Sequence, residues 1–169
     1  MSRSGYLVFT SFLALTAVIF SRFQHAPRLM WNESASVPVG LYTLHPASPL
    51  KVGDLVAERP PANLARYMAV RRYLPFGVPL LKFVAAVSDQ TVCRHGSVIT
   101  IDGLAVATAY ASDHADRPLP GWQGCHRLNA RELFLLNPAR PDSFDGRYFG
   151  MVPRESVMAK AQALWTESE

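Results

Sequence analysis

Three short stretches of this chain carry residue types that together suit acyl transfer. The first is Ser34-Ala35-Ser36-Val37-Pro38-Val39-Gly40-Leu41-Tyr42. A serine hydroxyl is a weak nucleophile until a base takes its proton. Pro38 fixes its own φ and restricts Val37, which helps hold Ser36 in one geometry. The second stretch is Pro79-Leu80-Leu81-Lys82-Phe83-Val84-Ala85-Ala86-Val87, a lysine set among apolar residues. Loss of water lowers an ammonium pKa, and a neutral amine is a competent general base near neutral pH. The third is Ser143-Phe144-Asp145-Gly146-Arg147-Tyr148-Phe149-Gly150. Asp145 and Arg147 are two apart, so on an extended segment they share a face. A serine nucleophile with a lysine base is the chemistry these pieces allow jointly. Singly, each has a plainer reading. Ser36 is then a turn serine, Lys82 a strand lysine pointing to solvent, and Asp145 with Arg147 a surface ion pair. Histidine is the alternative base, in a Ser-His-Asp arrangement. None of His25, His45, His95, His114 and His126 lies in a signature context.

These residues need a scaffold, and the chain divides into three parts. Residues 1–22 read as an N-terminal transmembrane anchor. Residues 4–21 carry no charge and lie between Arg3 and Arg22. At ~1.5 Å per residue such a helix is roughly 27 Å long, just enough to cross the hydrocarbon core. A cleaved signal peptide competes, with His25-Ala26-Pro27 as a poor cleavage site. Charge leaves the orientation open, because Arg22 and Arg28 oppose Arg3. Residues 23–33 read as a juxtamembrane linker and residues 34–169 as one domain. The two cysteines, Cys93 and Cys125, form an even count after an export-like segment. A disulfide in an oxidising compartment fits them. It would close a loop of about 33 residues and contribute roughly 3–4 kcal/mol on the chain-entropy model. Two buried free thiols are the alternative. Zinc is disfavoured, since no CxxC or paired histidines accompany them.

The composition bounds the rest. The 169 residues suffice for one domain with a core plus an appendage. Hydrophobic residues make up 49% and charged residues only 18%, low for a freely soluble protein. The formal charge of +4 is scattered, with Arg71-Arg72 the one adjacent basic pair. That argues against nucleic acid and suits a surface near anionic lipid. Thirteen prolines and ten glycines argue against a helical bundle. Short strands are expected at 41–44, 54–57, 80–87 and 132–136. A hairpin is expected at 98–107 around Asp102-Gly103. One short helix is expected at 62–72, with Pro61 at its start and Pro75 beyond its end. Residues 112–123 and 138–146 read as loops. Residues 74–79, around Phe76, read as an exposed apolar loop that can meet lipid or substrate. By propensity the alanines of 157–165 favour helix. The reading is one anchored, mainly β domain, and its chemistry calls for no cofactor and no metal.

Taken in order, the motifs resemble those of TraF-type conjugative-transfer peptidases, which are similar to bacterial type I signal peptidases. Ser36-Val37-Pro38-Val39-Gly40-Leu41-Tyr42 resembles the nucleophile motif, and Gly53-Asp54-Leu55-Val56 the strand motif after it. Lys82-Phe83-Val84-Ala85-Ala86 resembles the lysine motif, with Ser88-Asp89 in place of the usual Gly-Asp. The 143–150 run resembles the C-terminal box, with Gly146 where signal peptidases usually have serine. The 117–125 run, with Cys93, resembles the TraF-type branch. The resemblance implies a signal-peptidase-like β domain, outside the cytoplasm, on a single N-terminal anchor in the bacterial inner membrane. It implies a strand at 157–165. It implies Ser36 as nucleophile, Lys82 as base, and Ser34 as a hydroxyl assisting the oxyanion hole. Ser143 would orient the lysine, and Asp145, paired with Arg147, would support the site. The implied substrate is an exported precursor, foremost a conjugative pilin, released by hydrolysis or by cyclisation. The implied partners are that precursor, the bilayer and the conjugation apparatus. Two other readings stay open: a general signal peptidase, and a non-catalytic assembly protein of the transfer apparatus.

Overall fold

The structure, a computed structural model, describes residues 3–22 and 29–167. The elements in chain order are α1 (Arg3–Arg22), β1 (Leu29–Asn32), β2 (Gly40–His45), β3 (Leu55–Glu58) and α2 (Ala62–Val70). Next come β4 (Leu80–Ala86), β5 (Thr91–His95), β6 (Val98–Ile101), β7 (Leu104–Thr108) and β8 (Gly124–Arg127). Then follow β9 (Glu132–Leu136), α3 (Gly146–Phe149), β10 (Met151–Pro153) and, after the 3-10 turn Arg154–Ser156, β11 (Val157–Thr166). The strands form a seven-stranded sheet ordered β1-β2-β11-β3-β4-β9-β10 and a four-stranded sheet ordered β7-β6-β5-β8. Every pairing is antiparallel. The fold is therefore mainly β, as the short apolar runs between turn residues predict.

The strands form where apolar side chains can alternate onto a covered face. Val56, Val84, Leu133, Leu135, Val152 and Val157 make one core cluster against Leu50. Ala86, Val92, Ile99, Ile101, Leu128, Phe134 and Leu136 make a second. This second cluster draws on strands of both sheets, so it is the seam that joins them. The β6–β7 hairpin turns at Asp102 and Gly103, with φ of 49° and 82°. Both residues are left-handed, as a type I′ turn requires.

Several expectations change. Residues 29–32 of the expected linker are instead β1, paired along its length with β2. Residues 23–28, with His25 and the weak cleavage site, lie outside the described residues. The 157–165 segment is a strand, against its propensity and with the family pattern. β11 lies between β2 and β3, and Val157, Ala159 and Ala161 are buried alternately along it. Central pairing outweighs local preference here. The single short helix expected is joined by the one-turn α3. The anchor coincides with α1, whose Thr10 and Thr16 hydroxyls donate to carbonyls three and four residues back. Among the described residues no helix is long and apolar enough to cross a membrane, so the fold does not confirm the anchor. Phe76 is exposed, as expected of the 74–79 loop.

Cys93 and Cys125 are directly paired across β5 and β8 and form a disulfide. The bridge fastens the end of the 112–123 loop to the second sheet. Thiol labelling of the denatured, unreduced protein should find neither cysteine free, and reduction should lower stability by about 2–4 kcal/mol in a denaturant titration. Two labelled thiols in the native protein contradict the bridge.

Candidate active site

The Ser36 turn is held by side chains from both ends. Asn32, the last residue of β1, is 7% exposed. Its amide nitrogen donates to the carbonyls of Ser34 at 2.8 Å, Pro38 at 3.1 Å and Val37 at 3.2 Å. Its amide oxygen accepts from the Ser34 N–H at 3.1 Å. From β2 the Tyr42 hydroxyl donates to the Pro38 carbonyl at 2.6 Å. Val37 packs inward with Tyr42, Ala57, Leu81 and Ala161. Gly40 ends the turn at φ +154°, where a Cβ would lie 2.2 Å from the Trp165 carbonyl oxygen. Only glycine lets β2 approach β11 there. Ser36, half-buried, is thus fixed by far more than Pro38. Its Oγ lies 2.7 Å from Ser34 Oγ, and its N–H donates to the same oxygen at 3.3 Å.

Lys82 lies in β4 between β3 and β9. Leu80, Leu81 and Lys82 are buried in succession along β4, so both faces of the strand are covered there and the alternation that would send Lys82 to solvent does not apply. The side chain is 1% exposed. Its ammonium nitrogen donates to Ser143 Oγ at 2.8 Å. Burial pulls its pKa down from 10.5 to about 8 against the opposing pull of Asp145. Lys82, Ser36, Ser34 and Ser143 line one cavity of about 630 Å³, with Met68, Leu80 and Phe144 among its apolar walls. Glu33, Asp113, His114 and Asp142 also line it. A wider depression of about 980 Å³, around residues 129–132 and 151–155, contains neither Ser36 nor Lys82.

Asn137, which the sequence analysis passed over, ties these pieces together. Its amide nitrogen donates to the Ser36 carbonyl at 2.8 Å, the Leu81 carbonyl at 3.3 Å and Ser143 Oγ at 3.4 Å. Its amide oxygen accepts from the Phe83 N–H at 3.3 Å. One buried side chain therefore links the serine turn, the lysine strand and the Ser143 loop.

Asp145 and Arg147 are not on an extended segment. Asp145 is the N-cap of α3, and its carboxylate accepts from the Arg147 N–H. The Arg147 guanidinium returns over the carboxylate, with Nε 2.8 Å from Oδ1 and Nη2 2.7 Å from Oδ2. This ion pair is buried, not on the surface. Its remaining valences are met: Asn137 N–H donates to Asp145, and Arg147 donates to the carbonyls of Pro141, Asn137 and Arg140. Gly146 departs from the signal-peptidase pattern for a steric reason. A Cβ there would fall 2.6 Å from both the Leu135 carbonyl oxygen and the Phe134 ring. The 117–125 run braces the same helix, since Trp122 Nε1 donates to the Gly146 carbonyl at 2.9 Å. Arg94, packed on Gly121, donates to the Arg147 carbonyl. The other departure, Ser88, is accommodated because Asp89 takes the left-handed conformation of that turn, at φ 70°.

Among the described residues no histidine hydrogen-bonds Ser36. His114 alone of them lines the cavity, exposed and 3.5 Å from Asp142. His95 lies 3.7 Å from Cys125 Sγ, and His126 pairs with Glu132. The site accordingly places a serine and a dry lysine on one cavity, held by amide, hydroxyl and guanidinium groups. Asn137→Ala should cost about 1–3 kcal/mol, because it strands two carbonyls and one N–H. A denaturation midpoint equal to that of the unmodified protein contradicts this clamp.

Comparison with known proteins places this geometry. Residues 1–166 match the family model described as signal peptidase, peptidase S26. A plasmid transfer protein TraF of Escherichia coli is 31% identical over 146 residues, covering 80% of this chain and 81% of the relative. A probable conjugal transfer protein TraF of Sinorhizobium fredii is 32% identical over 145 residues, covering 80% and 76%. A signal peptidase I of Enterococcus faecalis, of known structure, is 19% identical with a TM-score of 0.39, covering 67% of this chain and 97% of that one. The chain belongs to the signal peptidase S26 family, as one of its TraF-type members.

Proposed function

We propose that this protein is a membrane-anchored serine endopeptidase that matures an exported precursor, foremost a conjugative pilin. The observation that carries the reading is Lys82, an amine 1% exposed that lines the same cavity as Ser36. Burial brings it to about 8, so a sizeable neutral fraction exists near neutral pH.

The precursor's scissile carbonyl lies over Ser36. Ser36 Oγ turns from Ser34 toward Lys82, and the neutral amine takes its proton as the new C–O bond forms. Such contacts commonly tighten only with substrate in place. The developing oxyanion is held by the Ser36 N–H, with the Ser34 hydroxyl assisting. The Lys82 ammonium then gives its proton to the leaving amine. Ser143 holds the lysine in one rotamer, and the Asp145–Arg147 pair keeps Ser143 and Asn137 in place. The acyl ester is resolved by water or by the precursor's own amino terminus, the latter giving a cyclic product.

The names of the relatives support a role in conjugal transfer. Residues 4–21, uncharged and helical, support a single anchor in the bacterial inner membrane. The disulfide supports a catalytic domain in the oxidising periplasm.

Ser36→Ala and Lys82→Ala should each abolish processing of the precursor while leaving the fold intact. The double variant should be no worse than either, because the two act as one unit. Since the neutral amine is the active form, the rate should rise with pH through about 8 and fall roughly tenfold per unit below it. Substantial processing by Ser36→Ala refutes the enzyme reading and favours an assembly protein.

A further inference from the structure

Glu58, the last residue of β3, is fully buried, and neither carboxyl oxygen has a hydrogen-bond partner among the described residues. The Ser156 hydroxyl, which bears on this carboxyl, is turned instead to the Pro153 carbonyl at 2.7 Å. A buried acid without a donor is costly and calls for a reason. Strand register supplies one. Glu58 pairs with Leu80, and Lys82 pairs with Val56. Paired residues share a face, as do residues two apart on a strand. Glu58 and Lys82 are therefore diagonal neighbours on one face of the sheet, at a spacing of about 7–8 Å that long side chains span.

The other charges that act on Lys82 are matched elsewhere, and Glu33, which lines the same cavity, is exposed. Asp145 and Arg147 both act on it, but in opposite senses and bonded to each other. Asp142, from the same loop, is about half exposed and pairs with His114. From β11, Lys160 pairs with Asp54 at 2.8 Å. From α2 the buried residues are Ala65 and Met68, and from β9 Leu133 and Leu135, none of them charged. Glu58 itself faces Leu80 of β4 and Val157 of β11. It is the buried acid near Lys82 with no cation of its own among the described residues. Burial pushes it up to about 7, with the nearby Ser156 hydroxyl and then Lys82 pulling the other way.

We propose that Glu58 is a positioning residue for the base: its carboxylate is the counter-charge that stabilises the ammonium Lys82 becomes on taking the Ser36 proton. The proposal rests on the Ser36–Lys82 reading above. The proton passes from Ser36 Oγ to Lys82 Nζ, then from Nζ to the leaving amine. Glu58 gains and loses nothing in that transfer and acts by charge alone. The aspartate of a Ser-His-Asp triad serves its imidazolium in the same way.

Glu58→Gln removes the charge and keeps the shape. Lys82 becomes a weaker base, so its midpoint in the pH–rate profile should move down by roughly 0.5–1 unit. The alkaline plateau should fall about three- to tenfold, while acid-side rates change little. Glu58→Leu should move the midpoint in the same direction. Nitrogen NMR of the Lys82 Nζ group should show the same downward shift without any substrate. A rate loss equal at every pH with the midpoint unmoved marks a structural role and overturns the proposal. An unmoved Lys82 titration in both folded variants, with wild-type cleavage intact, overturns this proposal alone. A wild-type protein without Ser36-dependent cleavage overturns the reading beneath it as well.

Discussion

An ammonium deprived of water is unstable, and the burial of Lys82 on a covered face of β4 imposes that condition. Its nitrogen keeps one hydroxyl partner, Ser143, at 2.8 Å. With so little solvation the neutral amine comes within reach of neutral pH. The surrounding hydrogen bonds hold that dry amine and the Ser36 turn on one cavity. The same burial in an interior strand that weakens the charge also removes the rotamer freedom a surface lysine would keep.

The supports form one connected path. The disulfide fastens β8 to β5, and the run before it places Trp122 on the Gly146 carbonyl. Arg94, next to Cys93, reaches the Arg147 carbonyl. α3 begins at Asp145, whose pairing with Arg147 fixes the 137–143 loop from within. From that loop Ser143 meets Lys82, and Asn137 meets the Ser36 carbonyl. Buried polar groups earn a specific geometry only when all partners are present. Here the Asp145–Arg147 pair is satisfied, while Glu58, on the same sheet face as the lysine, is left without a donor.

Much of this was legible in the residues. Ser36, Lys82, Ser143 and Asp145 are carried by short motifs whose apolar or Pro-Gly surroundings are visible locally, and the Asp102-Gly103 hairpin is a local signal too. What escaped depends on non-local pairing. Asn137 precedes Pro138 and looks like a turn residue; its role exists only because β9 ends beside β4. Glu58 sits between Ala57 and Arg59 and looks like an exposed strand end; its burial comes from β11 on one side and β4 on the other. The alanines of β11 favour helix until two neighbouring strands claim them. Asp145 and Arg147 do pair, but through a helix cap and not through an extended strand.

The central claim is that a dry, neutral lysine activates Ser36. The most direct test is the rate at which a small serine-acylating β-lactam modifies the protein, followed by mass spectrometry across pH. The account predicts a single adduct on Ser36, forming faster as pH rises, with a midpoint near 8, and none in Lys82→Ala. An adduct on Ser34 or Ser143 in place of Ser36 would contradict it. So would Ser36 labelling that is indifferent to pH and to Lys82.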